Sequence, residues 1–285
     1  MKFKAIKTIG IVGAGTMGQG IAQICAQAGY KTILFDINAT VLQKAQKTTT
    51  INLDKGIERG KLTIADKEAT LANLTFTGNT LDLICDVIIE AVVERLEVKQ
   101  SIFKELADLN SDQTILASNT SSIPITRIAA GVPNPERVVG MHFFNPAHIM
   151  KLVEVISGAA TSPEVAETIK QLALKLEKTP VMAQDSPGFI VNRVARHFYV
   201  EGLKLLEEGV ADVETIDKLM QASGFRMGPF ELMDLIGVDT NFSVTSSMFE
   251  AFHYDPKFRP SRIQQQKVDA GHHGRKSGKG FYNYK

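Results

Sequence analysis

The stretch HFFNPAHIMKLVEV, residues 142–155, sets an imidazole, His142, shortly before an Asn145-Pro146 turn and returns a carboxylate, Glu154, inside an otherwise apolar strand. Side chains alternate along a strand, so Leu152, Glu154 and Ile156 share one face while Val153 and Val155 take the other. Both faces are apolar, which predicts that Glu154 is buried, and a buried carboxylate without a partner loses several kcal/mol or gives up its charge. His142, twelve residues earlier, lies at a separation that a strand, a turn and a second strand can fold into contact with it. Such a pair fixes the tautomer, with Nδ1–H toward Glu154 and Nε2 presented to take a proton, the equipment of a general base acting on an alcohol. The competing reading is a satisfied core histidine beside an unrelated surface glutamate.

A second stretch with chemistry in it opens the chain. KTIGIVGAGTMGQGIAQICAQAGYKTILFD reads as a strand (7–12), a glycine-rich turn, a helix (about 17–28) and a second strand (31–36). Gly13, Gly15 and Gly18 fit G-x-G-x-x-G, in which one glycine makes the turn, one admits a pyrophosphate and one lets helix approach strand. The amides of Thr16 and Met17, at the helix start, then face the phosphates. The motif alone is weak, because glycine-rich turns also serve purely structural ends. Its place between strand and helix strengthens it, as does Asp36, which closes the second strand 23 residues after Gly13. That carboxylate can accept ribose hydroxyls and would repel a 2′-phosphate, and no arginine follows it in DINAT, so NAD is expected rather than NADP.

These groups need a scaffold, and the alternation of strand and helix supplies one. A helix over 39–59, strands at 74–77, 86–92 and 114–118, a helix over 97–109, and the strands RVVGMHF and KLVEVI continue the pattern. The apolar runs DVIIEAV and TILAS are those of parallel strands buried on both faces. Glu94 and Lys99 follow the fourth strand, at the edge where open α/β sheets bind ligands, though a solvated helix start explains them equally well. SNTSSIPI (118–125) bunches Ser118, Asn119, Thr120, Ser121 and Ser122 after the next strand. It is either turn chemistry or a set of donors for a substrate oxygen, and spacing does not choose among its members.

After TPVMAQDSPGF (179–189) the alternation stops, with Pro187 and Gly188 punctuating the change. The expected organisation is α/β: a doubly wound, Rossmann-like domain over 1–185 and an all-α domain over 186–285. The first helix of the second domain carries Ile190, Val194 and Phe198 beside Val191, Ala195 and Tyr199, and Gly209 ends it. Asp212 caps a helix reaching about Ser223, and further helices fit 229–236, 240–252 and 260–270. So broad an apolar surface predicts a homodimer formed through this domain. Asn192 lies between apolar neighbours, as a satisfied structural residue or, near the interdomain linker, a ligand contact.

Bulk properties exclude other classes. The 285 residues are 44% hydrophobic and 22% charged, and 32 basic against 31 acidic residues leave a net charge of +1, so no global field recruits nucleic acid or an anionic membrane. Cys25 and Cys85 lie in apolar contexts without a second ligand at metal-binding spacing, which predicts buried thiols and no metal site. No signal-peptide pattern and no apolar run of about 18 residues is seen, so a cytoplasmic protein that does not span a membrane is expected.

Taken together, GAGTMGQGIA, SNTSS, HFFNPAHIMKLVEV, DSPGFIVNR, GPFELMDLIGVD and GRKSGKGFYNYK resemble the 3-hydroxyacyl-CoA dehydrogenase family, and within it the bacterial 3-hydroxybutyryl-CoA dehydrogenases, over essentially the whole length. The resemblance implies NAD-dependent interconversion of (S)-3-hydroxybutyryl-CoA, or a related short-chain acyl-CoA, and acetoacetyl-CoA. It makes His142 the base, Glu154 its partner, Ser121 a contact to substrate oxygen and cofactor, and Asn192 the amide near the substrate carbonyl. Glu94, Lys99, Asn145 and, from the tail, Lys276 match cofactor contacts. Asn52 and Arg59 align with positions that touch CoA, where the family has serine and lysine. His148 stands where a proline is common, and no role is assigned to it. A dehydrogenase of other hydroxy acids on the same fold and a catalytically idle NAD-binding protein are the alternatives.

Overall fold

The computed structural model describes residues 6–284, and the chain divides into two compact units with the boundary after Ser186. In the first unit β1 (Thr8–Val12), α1 (Thr16–Gln27) and β2 (Lys31–Phe35) form the initial βαβ unit. There follow α2 (Ala39–Glu58), α3 (Ile64–Ala72), β3 (Leu74–Thr77), β4 (Val87–Glu90), α4 (Leu96–Leu109), β5 (Ile115–Ser118) and α5 (Ile125–Ala129). β6 (Val138–Phe143), β7 (Leu152–Ser157), α6 (Pro163–Lys175) and β8 (Thr179–Gln184) complete it. The sheet has eight strands in the order β3-β2-β1-β4-β5-β6-β7-β8. β1 to β6 run parallel, β7 pairs antiparallel with β6, and β8 runs parallel to β7. Strand order reverses between β1 and β4, so the carboxyl ends of those strands frame the crevice in which such sheets hold a dinucleotide.

Burial explains the apolar runs. Every residue of β4, β5 and β6 is buried, with Ile9, Ile11, Ile89, Ala117 and Met141 in one core with Ile21 and Cys25 of α1 and Ile169 of α6. Helix starts are fixed by side chains: Asn38 accepts from the amides of Thr40 and Val41 to open α2. Thr63 and Asp66 make a reciprocal capping box that starts α3. The sequence reading passed over α3, although T-x-x-D at 63–66 is the signal that marks it. It also passed over α6, which Ser162 caps and Pro163 opens.

The second unit is helical, with α7 (Val191–Glu207), α8 (Val213–Ala222), α9 (Pro229–Ile236), α10 (Val238–Ala251) and α11 (Arg262–Asp269). Gly209, at φ +68°, terminates the turn after α7, and Asp212 caps α8 by accepting from the amide of Thr215 at 2.7 Å. Tyr199, Leu203, Ile216, Phe230 and Met233 form its core. Asp234 accepts from the amides of Phe281 and Tyr282, and Tyr282 donates its hydroxyl to Asp217, which binds the chain's last turns to α8 and α9. Among the described residues no helix is long and apolar enough to cross a membrane.

Candidate active site

The β6–β7 hairpin places His142 directly opposite Glu154 in its antiparallel register. Opposed residues project to the same face with their Cβ atoms about 4.5–5.5 Å apart, so the strands alone bring the two side chains together. His142 Nδ1 lies 2.7 Å from Glu154 Oε2, and only 5% of His142 and 1% of Glu154 remain exposed. The imidazole also packs against Phe144, with ring centroids 4.5 Å apart. The carboxylate fixes which ring nitrogen carries the proton and compensates any positive charge that the ring acquires. Because β6 is parallel to β5, β4 and β1, His142, near its carboxyl end, sits on the edge of the sheet that also carries the glycine-rich turn.

At that turn the glycines divide the labour as the motif requires. Gly13 has φ +99°, and a Cβ there would meet the Ala91 carbonyl at 2.7 Å. A Cβ on Gly18 would stand 1.7 Å from the Gly13 carbonyl oxygen, so α1 approaches β1 more closely than any side chain allows. Gly15 faces open space, and among the described residues no side-chain cap is made at the first turn of α1, which also carries no acidic residue. An uncapped helix start beneath an open approach fits the pyrophosphate of a dinucleotide. Asp36 accepts from the amide of Ala14 at 2.8 Å with one oxygen and from that of Asn38 at 2.9 Å with the other. It thereby pins the turn, and each oxygen retains a lone pair for a ribose hydroxyl. The residues present therefore fit NAD.

The loops after β4 and β5 are welded together by carboxylates. Glu94 accepts from the Thr120 hydroxyl (2.6 Å), the Ser121 amide (2.8 Å) and the Ser122 amide (3.1 Å), and pairs with the Lys99 ammonium at 3.2 Å. Burial opposes its charge, but the Lys99 ammonium and the donors from Thr120 and Ser121 outweigh that and hold the carboxyl below its ordinary range. Lys99 is buried rather than part of a solvated helix start, and its ammonium also lies 2.6 Å from Glu90. Glu90 escaped the sequence reading, since one carboxylate at the end of an apolar run gives no periodic signal. Asn119, left open with its neighbours, accepts from the Phe143 amide at 2.8 Å and so ties the SNTSS loop to the strand that bears His142.

The remaining sequence candidates are spread wider. Asn145 is exposed at the turn after β6, where the buried Lys178 ammonium donates to the carbonyls of Ala147 (2.6 Å) and Met150 (2.9 Å). Asn52, on α2, lies 3.4 Å from Gln23 of α1, and Arg59 caps the end of α2 in solvent. His148 is half-buried, and burial followed by the nearby Lys178 charge lowers its pKa. In the helical unit Asn192 lies in the first turn of α7, and Lys276 pairs with Asp239 at 2.7 Å. The thiols of Cys25 and Cys85 are buried, and burial pushes each up to about 12.

Residues 8–186 match the model for the 3-hydroxyacyl-CoA dehydrogenase NAD-binding domain, and residues 188–284 match that for the same family's C-terminal domain. The chain is 49% identical over 282 residues to 3-hydroxyadipyl-CoA dehydrogenase of Escherichia coli, covering 98% of this chain but 59% of that longer protein. It is 41% identical over 282 residues to 3-hydroxybutyryl-CoA dehydrogenase of Bradyrhizobium diazoefficiens, covering 98% and 96% of the two chains. The crystal structure of (S)-3-hydroxybutyryl-CoA dehydrogenase from Ralstonia eutropha superimposes with a TM-score of 0.94 at 41% identity, covering 99% of this chain and 100% of that one. With both family domains matched in order, the chain belongs to the NAD-dependent 3-hydroxyacyl-CoA dehydrogenase family.

Proposed function

We propose that the chain interconverts (S)-3-hydroxybutyryl-CoA, or a related short-chain 3-hydroxyacyl-CoA, with acetoacetyl-CoA, using His142 and Glu154 as the proton shuttle. The observation that carries this reading is the buried pair itself, an imidazole aimed by a carboxylate 2.7 Å away at the ligand-binding edge of the sheet. NAD, when bound, supplies the hydride acceptor. In the oxidative direction Nε2 of His142 takes the proton of the C3 hydroxyl, and Glu154 stabilises the imidazolium that forms. In reduction the imidazolium returns that proton to the C3 oxygen. Ser121 holds the reacting oxygen and Asn192 the thioester oxygen, roles supported by their match to the family's motifs. Gly13, Gly15, Thr16, Met17, Gly18 and Asp36 carry the dinucleotide with Glu94, Lys99, Asn145 and Lys276, while Asn52 and Arg59 contact CoA.

The test is a rate comparison across 3-ketoacyl-CoA substrates from C4 to C16, with 3-ketoadipyl-CoA and free acetoacetate included, each with NADH and NADPH. A maximum in kcat/KM at acetoacetyl-CoA with NADH is expected. A maximum at 3-ketoadipyl-CoA, the class named by the Escherichia coli relative, would overturn the substrate, and equal rates with free acetoacetate would overturn the role of CoA. Comparable kcat/KM with NADPH would overturn the role of Asp36.

We also infer a homodimer formed through residues 186–285. Val194, Leu219 and Phe225 keep 70%, 61% and 50% exposure there, apolar side chains that a second copy of the unit would cover. A monomeric mass by light scattering at micromolar concentration would overturn this.

A further inference from the structure

Beneath the loops that follow β4 and β5 lies a group that the proton shuttle does not use. Glu90, the last residue of β4, is fully buried and, among the described residues, accepts from the Lys99 ammonium at 2.6 Å, the Val92 amide at 2.7 Å and the Ser118 hydroxyl at 2.7 Å. Lys99 is 1% exposed and spans from Glu90 to Glu94, whose side chain is 36% exposed and so forms the outer end of the chain of charges. Two carboxylates share one ammonium, and the sum is one negative charge. The neighbouring Arg95 and Glu97 are both exposed and oppose each other in sign.

The place of this charge in the sheet gives it a direction. In a doubly wound sheet the two halves on either side of the reversal each take one half of a dinucleotide. Asp36, after β2, marks the adenosine half, which leaves the nicotinamide half over the ends of β4 and β5. NAD and NADH differ at that ring by one positive charge.

We propose that Glu90, acting through Lys99, sets a net single negative charge under the nicotinamide end of the crevice and thereby shifts the balance of binding toward the oxidised, cationic dinucleotide. Glu90 reaches neither cofactor nor substrate and is a positioning residue. If it were neutral, the Lys99 charge would fall on Glu94 alone and the local sum would be zero. The inference deepens the reading of Glu94 and Lys99 as cofactor contacts and does not depend on which acyl-CoA is reduced.

The test measures Kd for NAD and for NADH by calorimetry, without acyl-CoA, so that failure of the substrate reading leaves it interpretable. Glu90→Gln keeps the shape, because its oxygen still accepts from Lys99 and Val92 and its nitrogen can donate to Ser118. The ratio of Kd for NAD to Kd for NADH should rise about tenfold, the scale of a unit charge acting over several ångströms at a partly exposed protein site. Ser118→Ala removes a hydrogen bond from Glu90 but no charge, and should leave the ratio unchanged. An unaltered ratio in folded Glu90→Gln protein, or an equal shift in Ser118→Ala, would overturn the proposal. If Glu90→Gln fails to fold, Glu94→Gln also takes the sum to zero and must shift the ratio the same way, and no shift there would overturn it.

Discussion

Replacing Glu154 by glutamine keeps the shape of the pair and removes only its charge. Nδ1 and Oε2 are 2.7 Å apart, and Glu154 is 1% exposed, so solvent does little to screen the interaction. With charge centres about 4 Å apart and an effective dielectric near 20, imidazolium and carboxylate attract by about 4 kcal/mol. The amide oxygen still accepts from Nδ1–H and retains about 1 kcal/mol as a neutral hydrogen bond. The deficit of about 3 kcal/mol falls on the state in which the ring is charged, and so lowers kcat by about a hundredfold. Substrate binds before that charge appears, so KM should change by less than about threefold. The assay is NAD reduction with (S)-3-hydroxybutyryl-CoA under saturating conditions, the direction in which the ring acquires its charge during the reaction, with circular dichroism and thermal unfolding to show that the variant is folded. A folded Glu154→Gln enzyme with parental kcat would refute the reasoning, because the carboxylate would then contribute nothing to the ring's charged state.

Four further outcomes follow from the structure. Gly18→Ala, whose methyl would stand 1.7 Å from the Gly13 carbonyl, should destabilise the fold by about 1–3 kcal/mol in urea unfolding. Gly15→Ala meets open space and should leave stability within about 0.5 kcal/mol while weakening NAD binding measured by calorimetry. The Glu94 carboxyl is depressed below its ordinary 4.5, so the support it gives the SNTSS loop is present above that pH and is lost as pH falls through the depressed value. The Ser121 and Ser122 amide resonances should accordingly hold their positions at pH 5 and move only on further acidification. Cys25 and Cys85, pushed up to about 12, should resist a thiol-specific disulfide reagent at neutral pH in the native protein and react once it is unfolded.

What the sequence disclosed was whatever has a period or a fixed spacing. The alternation in KLVEVI and the length of the intervening turn pointed to Glu154 and His142 as partners but left open an unrelated surface glutamate, an alternative that the strand register and the burial of both side chains remove. The glycine spacing and Asp36 were legible because each is a local backbone requirement. Glu90 was not legible: its role arises from a bond to Lys99 on the next helix and another to Ser118 on the adjacent strand, and neither separation is periodic. Nor could spacing distinguish the members of SNTSS, since Asn119 is drawn to Phe143 while Ser121 and Ser122 are drawn to Glu94 by contacts far apart along the chain. Helices α3 and α6 lie outside the expected pattern although the sequence marks both, α3 by its capping box at Thr63 and Asp66, and α6 by its Ser162-Pro163 start and by Val165, Ala166, Ile169, Leu172 and Ala173 at helical spacing.

The hairpin that sets Met141 against Val155 and His142 against Glu154 makes the site a matter of phase. Inserting one residue in either strand would rotate every later side chain to the opposite face and leave the imidazole looking at valine, whatever happened to overall stability. An added residue in the connection over 144–151 carries no such penalty. Lineages can therefore lengthen or reshape that connection, and with it whatever it touches, while the strand phase holds the ionisable couple fixed.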